Sequence, residues 1–389
     1  VNQNFANEIK KIFKKGSKTY FYSSLFFPKK IRDKVDILYA FVRTADDFVD
    51  CIPADRTSFF QFKNYYLQQK KLTDSKNFKK NNIKNSPAKQ NLAKINLKTK
   101  FENSFEMTSK NCLEMDSKKE TDLKPKVLEF ETLEYGKQKW EDVCEINEKN
   151  SKNHSENYLN FQNTNNLKDL SAKKSEIPNL QTIEIKPLHR QIVEEFIRLE
   201  ETLESEPAWT EAFLASMESD LETKIYQNIE ETKEYIYGSA NVIGLFMSKI
   251  LNLPPESYYF AEHLGMSFQY INFIRDIEED LRLGRSYFPQ DLLQKHNLPN
   301  LKMEEVRKKP KEFHKFVQEI LEQYAKWQEI AEQGFHFFPK KYRTAIKTAS
   351  DMYKWTGRQI AKNPLIVYEK KIKPQKRQIL LTGIRNWLN

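Results

Sequence analysis

The chain has little glycine, nine in 389 residues. With few alternating β-branched runs as well, this argues against sheet and for helices. Cysteine is scarcer still. Cys51, Cys112 and Cys144 are too few and too scattered for a disulfide framework or a zinc site. That points to a reducing compartment and a cytoplasmic protein. No apolar run is long enough to span a bilayer, and the opening residues carry no signal-peptide pattern. Val1 in place of Met implies a true start upstream or an unusual start codon. There is no Cys/His cluster and no nucleotide-binding motif. Arginine, common elsewhere, is missing between Arg56 and Arg190.

What remains is polar and basic. Only 39% of residues are hydrophobic, the mean hydropathy is −0.75 and the pI about 9.1. A net charge of +10 favours an anionic partner: nucleic acid, an anionic membrane surface or a phosphorylated substrate. The polar excess is concentrated. From residue 70 to residue 186 Lys, Asn, Ser and Glu dominate, as in Ser75-Lys76-Asn77-Phe78-Lys79-Lys80-Asn81-Asn82. Such a stretch cannot bury enough apolar area to offset its ordering entropy. It reads as a mostly disordered insertion, with a transient helix through Val127, Leu128, Leu133, Trp140 and Val143. Its lysines lack arginine forks and regular aromatic interleaving, so no specific nucleic-acid binding is expected. Residues 1–69 and 187–389 are then two parts of one helical domain, and a long insertion over 70–186 is thermodynamically tolerable between them.

Phe5, Ile9, Ile12 and Phe13 suit a short amphipathic helix. Gly16-Ser17-Lys18-Thr19-Tyr20 interrupts it, either as a turn and N-cap or as donors for phosphate oxygens. Pro28 starts a helix with Val35, Leu38, Phe41, Val42, Ala45 and Val49 on its buried face, and Pro53 stops it. Past Pro187, Ile192, Val193, Phe196, Leu199 and Leu203 predict another, and Ala212 to Leu221 a further one. In the helix from Glu234 to Met247, Gly238, Ser239, Ala240 and Gly244 thin one face. That serves either tight helix packing or room for a long ligand. Helices follow over Met303–Lys309, Pro310–Gly334 and Tyr342–Lys362. The basic tail from Lys370 to Asn389 ends in Leu380, Leu381, Ile384 and Trp387. It reads as a last amphipathic helix that docks on the body or on a membrane surface.

The chemistry-bearing stretch is Gln269 to Pro289. Asn272, Asp276 and Asp280, at spacing four, stack in one stripe along a single predicted helix that Gly284 ends. Aligned carboxylates repel one another, and a hard cation removes that penalty. A solvated acidic face is the plainer alternative. A second acidic set, Asp46, Asp47 and Asp50, sits near a helix C-terminus, where the macrodipole disfavours anions. Arg43, three residues before Asp46, is spaced for a salt bridge. Two acidic helix ends facing each other across a bundle form an oxygen cage suited to Mg²⁺ or Mn²⁺ rather than zinc. Mg²⁺ commonly bridges carboxylates to substrate phosphates. A basic, aromatic-rich helical protein with such a cage suggests a diphosphate carrying a long apolar tail.

Arg43-Thr44-Ala45-Asp46-Asp47-Phe48-Val49-Asp50, Tyr235-Ile236-Tyr237-Gly238-Ser239-Ala240 and Gln269 to Pro289 resemble, in that order, the motifs of the squalene/phytoene synthase family, bacterial or archaeal phytoene synthases most of all. The likeness covers the chain outside the insertion. It implies an all-α isoprenoid-synthase helical bundle with a central cavity. It also implies head-to-head condensation of two prenyl diphosphates with Mg²⁺. In that family one diphosphate ionises and the cation alkylates the double bond of a second molecule. The resulting cyclopropylcarbinyl diphosphate ionises in turn and rearranges to a linear hydrocarbon.

Residue by residue, Asp46, Asp50, Asp276 and Asp280 resemble the family's metal-binding aspartates, with Asn272 as their partner. Arg43, Arg275 and Gln269 resemble the polar residues around the diphosphates, although the two arginines also suit ion pairs that hold the aspartates. Ser17 and Thr19 resemble the N-terminal hydroxyl motif, Tyr39 and Tyr235 cavity tyrosines, and Tyr353 a tyrosine on the last long helix. Two features depart from the pattern: the insertion, and Asn241, where many members have Gly. If the small residues Ser23 and Ser24 line the cavity, they favour geranylgeranyl diphosphate and phytoene. Farnesyl diphosphate, giving dehydrosqualene or squalene, stays open. The absence of an NADPH-type nucleotide motif and of a C-terminal membrane helix weighs against reductive squalene formation. The rivals are a head-to-tail prenyltransferase or terpene cyclase, and a non-catalytic relative acting as an assembly factor. The last would be expected to lose the aspartates, and all four are present. The resulting expectation is a cytoplasmic enzyme in peripheral contact with anionic lipid at the inner face of the membrane.

Overall fold

The structure, a computed structural model, describes residues 3–84 and 183–388. Most of the expected insertion lies outside them, including the segment Val127 to Val143, Cys112 and Cys144. Among the described residues every regular element is a helix, and none is long and apolar enough to cross a membrane. Val1–Lys76 and Ile183–Asn389 pack as one compact unit.

Helix α1 (Gln3–Gly16) buries Phe5, Ile9 and Phe13, one turn apart, and carries Lys14 and Lys15 at its negative end. Ser17 then caps α2 (Lys18–Ser24), its Oγ accepting from the Tyr20 amide at 3.2 Å. Helix α3 (Lys29–Asp50) buries Val35, Leu38, Phe41, Ala45 and Val49. Phe41 stacks on Phe196 at 3.9 Å between ring centres and tilts against Phe62 at 5.1 Å. That aromatic knot ties α3 to α4 (Arg56–Lys84) and α5 (Pro187–Leu203). Phe41→Ala should therefore cost about 3–5 kcal/mol, read as a lower denaturant midpoint with an unchanged slope.

Helix α4 runs through residue 70, where the change of composition had suggested a boundary. The reason is long-range. Glu200 is only 1% exposed and accepts from Tyr66 at 3.1 Å, from Thr210, and from Lys70 at 3.1 Å. Burial raises its pKa against the pull of Lys70 and its hydrogen bonds. A buried carboxylate stripped of its cation costs about 3 kcal/mol or more. Lys70→Met should lower the melting temperature at neutral pH. The deficit should shrink on acidification and be gone below about pH 4, where folded and unfolded states both hold the proton.

Helix α6 (Pro207–Ser219) starts five residues before the expected Ala212, because Pro207 fills its first turn. Asn228 caps α7 (Ile229–Ile236) through the Glu231 amide at 3.0 Å. A π-helical turn, Tyr237–Asn241, leads into α8 (Val242–Leu251). A Cβ on Gly238 would strike Ala212 and Ser216, and one on Gly244 would strike Ala261. These glycines serve close helix packing, the plainer of the two readings, and not a ligand channel.

Helix α9 (Tyr258–Arg275) and α10 (Ile277–Arg282) are two helices where one was expected. Asp276, at φ −103° and ψ 16°, breaks the line. Asp276 still donates its amide to Asn272 O and Asp280 to Asp276 O, both at 2.8 Å, so the rise continues through the bend. Gly284 ends α10 in the left-handed region at φ 76°, and the Arg285 amide turns back to Asp280 O at 2.8 Å. Beyond lie α11 (Gln290–Lys295), α12 (Met303–Lys308), α13 (Pro310–Gln333), α14 (Lys340–Lys362), α15 (Ile366–Glu369) and α16 (Lys376–Leu388). Helix α13 packs along α9. Gln328 bridges α9 to α14, accepting from Ser267 at 3.1 Å and donating to Ser350 at 2.8 Å.

Candidate active site

Asp46 and Asp50 stand at the end of α3, and Asp276 and Asp280 at the α9–α10 bend. Arg285 joins the two. Its guanidinium donates to Asp50 Oδ1 at 2.7 Å, to Val49 O at 2.6 Å and to Asp220 O at 3.2 Å. Asp50 and Asp280 lie within electrostatic reach of each other, and both feel Asp220. The two acidic motifs, 235 positions apart at the Asp50–Arg285 bond, therefore share one region.

Three of the four motif aspartates pair directly with a cation, Asp50 with Arg285 as above, whereas among the described residues Asp280 has no ion-pair partner. Arg43 pairs with Asp46 at 2.5 Å and also with Asp47. Arg275 forks onto Asp276, with Nε donating at 2.9 Å. Lys371, in the segment after α15, reaches Asp276 at 3.7 Å and Glu279. Burial opposes the charge on Asp276, but Arg275, Lys371 and Lys373 outweigh it and hold the carboxyl below its usual value. Asp46 is pushed up to about 7 by burial and by the Asp50 charge, against the pull of Arg43. Burial and then the Asp276 and Asp50 charges drive Asp280 well upward. The Asp46 side chain nonetheless keeps 31% of its surface accessible.

Tyrosines line the same region. Tyr235 donates to Asp220 Oδ2 at 2.6 Å, and Tyr287 to Asp220 Oδ1 at 3.0 Å. Tyr353 stacks on Phe268 at 4.4 Å and meets Tyr20 at 5.7 Å. Tyr39 stacks on Phe13 at 4.0 Å. Burial raises the pKa of all of Tyr20, Tyr39, Tyr235 and Tyr353, so each phenol keeps its proton.

Of the expected residues, Arg43, Asp46, Asp50, Arg275, Asp276, Asp280 and Tyr235 fall in this region through the contacts and fields just given; Tyr39 feels the charges of Arg43 and Asp46, Tyr353 those of Arg275 and Asp276, and the Asn272 carbonyl accepts the Asp276 amide. Gln269 is half-buried, one turn before Asn272 on α9. Ser17 Oγ accepts from the Tyr20 amide as the α2 cap, which leaves its O–H as a donor. Thr19 is half-buried on α2. Asn241 is buried in the π-turn with its Oδ1 unpartnered. The sequence reading gave no role to Tyr20, Asp220, Arg285, Tyr287, Lys371 or Lys373. Only Arg285, directly after Gly284, carried a local signal.

Among the described residues no three Asp, Glu, His or Cys side chains close on one point as a metal-holding group. Arginines hold the carboxylates instead. The donor set still suits a hard divalent cation. It is all oxygen, Asn272 Oδ1 is buried without a partner, and Asp46 and Asp280 carry repulsion that a cation would relieve.

Comparison with known proteins agrees. A 15-cis-phytoene synthase of Enterobacter agglomerans is 28% identical over 155 residues, 40% of this chain and 52% of the relative. One from Paracoccus sp. is 26% identical over 182 residues, 46% of this chain and 59% of that protein. The chain thus spans little more than half the length of these curated relatives. A dehydrosqualene synthase crystal structure superposes with a TM-score of 0.54 at 14% identity, covering 99% of this chain and 95% of the other. A squalene synthase from Alicyclobacillus acidocaldarius gives 0.51 at 12% identity, covering 94% and 95%. At such identities these two likenesses speak for the fold. The squalene/phytoene synthase family model matches residues 13–68 and 160–380, more than half of the chain. The chain belongs to the squalene/phytoene synthase family.

Proposed function

We propose that this chain condenses two molecules of geranylgeranyl diphosphate head to head into phytoene. The observation that carries the reading is the junction of the two acidic motifs at Arg285, beside a wall of protonated tyrosines. Asp46, Asp50, Asn272, Asp276 and Asp280 would hold Mg²⁺, which when bound supplies positive charge for the departing diphosphate. Arg43, Arg275 and Lys371 take diphosphate oxygens by exchanging their present carboxylate partners, and Lys373 adds its charge beside them. Gln269 and Thr19 add neutral hydrogen bonds. With their protons held, Tyr39, Tyr235 and Tyr353 offer dipoles and ring faces to a carbocation, not phenolate bases. Two diphosphates and two protons leave overall: one proton as the cyclopropane closes, the other as the rearranged cation forms its central double bond.

Ser23 and Ser24 at the end of α2 are small and buried; if they line the cavity, their size leaves room for the twenty-carbon substrate. A 4,4'-diapophytoene synthase of Staphylococcus haemolyticus, 33% identical over 85 residues, favours the fifteen-carbon alternative. Separate incubations with geranylgeranyl and farnesyl diphosphate, followed by product chromatography, test the choice. The expected result is a linear forty-carbon hydrocarbon, formed roughly tenfold faster than any thirty-carbon product. The reverse ratio would transfer the assignment to dehydrosqualene. A cyclic terpene or a head-to-tail diphosphate would end the head-to-head reading.

A further inference from the structure

Helix α16 has two apolar faces. The inner one is fully used. Ile379 is completely buried, Gly383 lies against the Phe26 ring, and the Asn386 amide donates to Asp351 Oδ2 at 2.8 Å. The outer one is not used by the fold. Leu381, Ile384 and Leu388 recur at helical spacing and are 55%, 50% and 72% exposed, with Trp387 at their edge 71% exposed. Arg377 joins this stripe one turn before Leu381.

Beside it lies a groove of about 590 Å³, bordered by Phe26, Lys340, Lys341, Arg343, Trp387 and Leu388. Among the described residues no carboxylate lies in ion-pair contact with Lys340, Lys341, Arg343, Lys376 or Arg377. Arg343 Nε is buried without a hydrogen-bond partner, while its Nη2 donates to Phe338 O at 3.2 Å. From Lys370 to Asn389 the sequence has no Asp or Glu.

We propose that the outer face of α16 and this groove dock the protein on an anionic phospholipid bilayer. Leu381, Ile384, Trp387 and Leu388 enter the boundary of the acyl region, where Trp is favoured. Lys340, Lys341, Arg343 and Arg377 meet lipid phosphates. Charge selects this occupant over a second copy of the chain, because pairing the face with itself would set one lysine and arginine cluster against another. The proposal stands apart from the catalytic reading.

Co-sedimentation of the full chain with vesicles tests it. Binding to phosphatidylcholine vesicles containing phosphatidylglycerol should exceed binding to phosphatidylcholine alone by roughly tenfold, and should fall as salt rises. Leu381→Ser combined with Ile384→Ser should abolish binding with an unchanged circular-dichroism spectrum. Lys340→Glu combined with Lys341→Glu should remove the preference for the anionic lipid. Quenching of wild-type tryptophan fluorescence by brominated lipid gives a check that needs no variant. The proposal is overturned if the wild type ignores both vesicle types, or if both variants bind as well as the wild type. It also fails if light scattering finds a dimer that the apolar variant dissolves while no lipid is bound.

Discussion

Asp280→Asn should cut turnover about a hundred- to a thousandfold and, in metal-free buffer, raise the melting temperature. Both effects have one cause. Asp280 is a half-buried, desolvated carboxyl facing the charges of Asp276 and Asp50, with Arg285 in opposition. Its folded pKa lies above its unfolded one. The penalty is absent where both states hold the proton, below about pH 4, and complete above the folded value. The stability gain from asparagine should therefore be present at neutral pH and vanish on acidification. Mg²⁺ should stabilise the wild type by mass action and the variant much less. A variant that keeps full turnover at saturating Mg²⁺, or melts lower than the wild type in metal-free buffer, would remove Asp280 from the site.

Arg285→Met should do the opposite to stability. The guanidinium is 8% exposed and serves Asp50, Val49 and Asp220 at once. Without it, the Asp50, Asp220 and Asp280 carboxylates face one another with no cation among them. Loss of one partner from such a buried set costs about 3–5 kcal/mol, roughly a 10 °C fall in melting temperature. Acid should restore part of it, because protonation of Asp220, already pushed up to about 6 by burial, removes one of the opposed charges. Adding Asp220→Asn should also recover part of the loss, since the two positions are coupled. Arg285→Lys should recover less than half, having charge but no planar fork. Identical melting curves for wild type and Arg285→Met would show that the motifs are joined by something else.

Helix starts were legible where proline marks the first turn, as at Pro187 and Pro310, and Gly284 announced an end that its positive φ explains. The bend at Asp276 was not legible. Neither proline nor glycine stands there, and the stretch keeps its four-residue spacing. Arg275 and Lys371 pull on the carboxylate from different elements. The composition break at residue 70 misled because Lys70 answers to Glu200, 130 positions away. Asp220 looked like any acid at a helix end until closure of the chain brought Tyr235 and Tyr287 onto it. The hydroxyl motif drew attention to Ser17, whose oxygen caps its own helix, but not to Tyr20, three residues on, which reaches Tyr353.

The Asp50–Arg285 bond also bears on how the protein assembles. No local segment can make it, because it closes a loop of 235 residues. Closure entropy grows only with the logarithm of length, about 0.6 kcal/mol per doubling. The length of the intervening chain therefore tunes equilibrium stability weakly, while contacts of such long range slow the search for the native state. Ordering of the acidic pair should come late in refolding, after the individual helices form. A ligand that grips both motifs would then act on the final kinetic step, holding the closed ring against reopening.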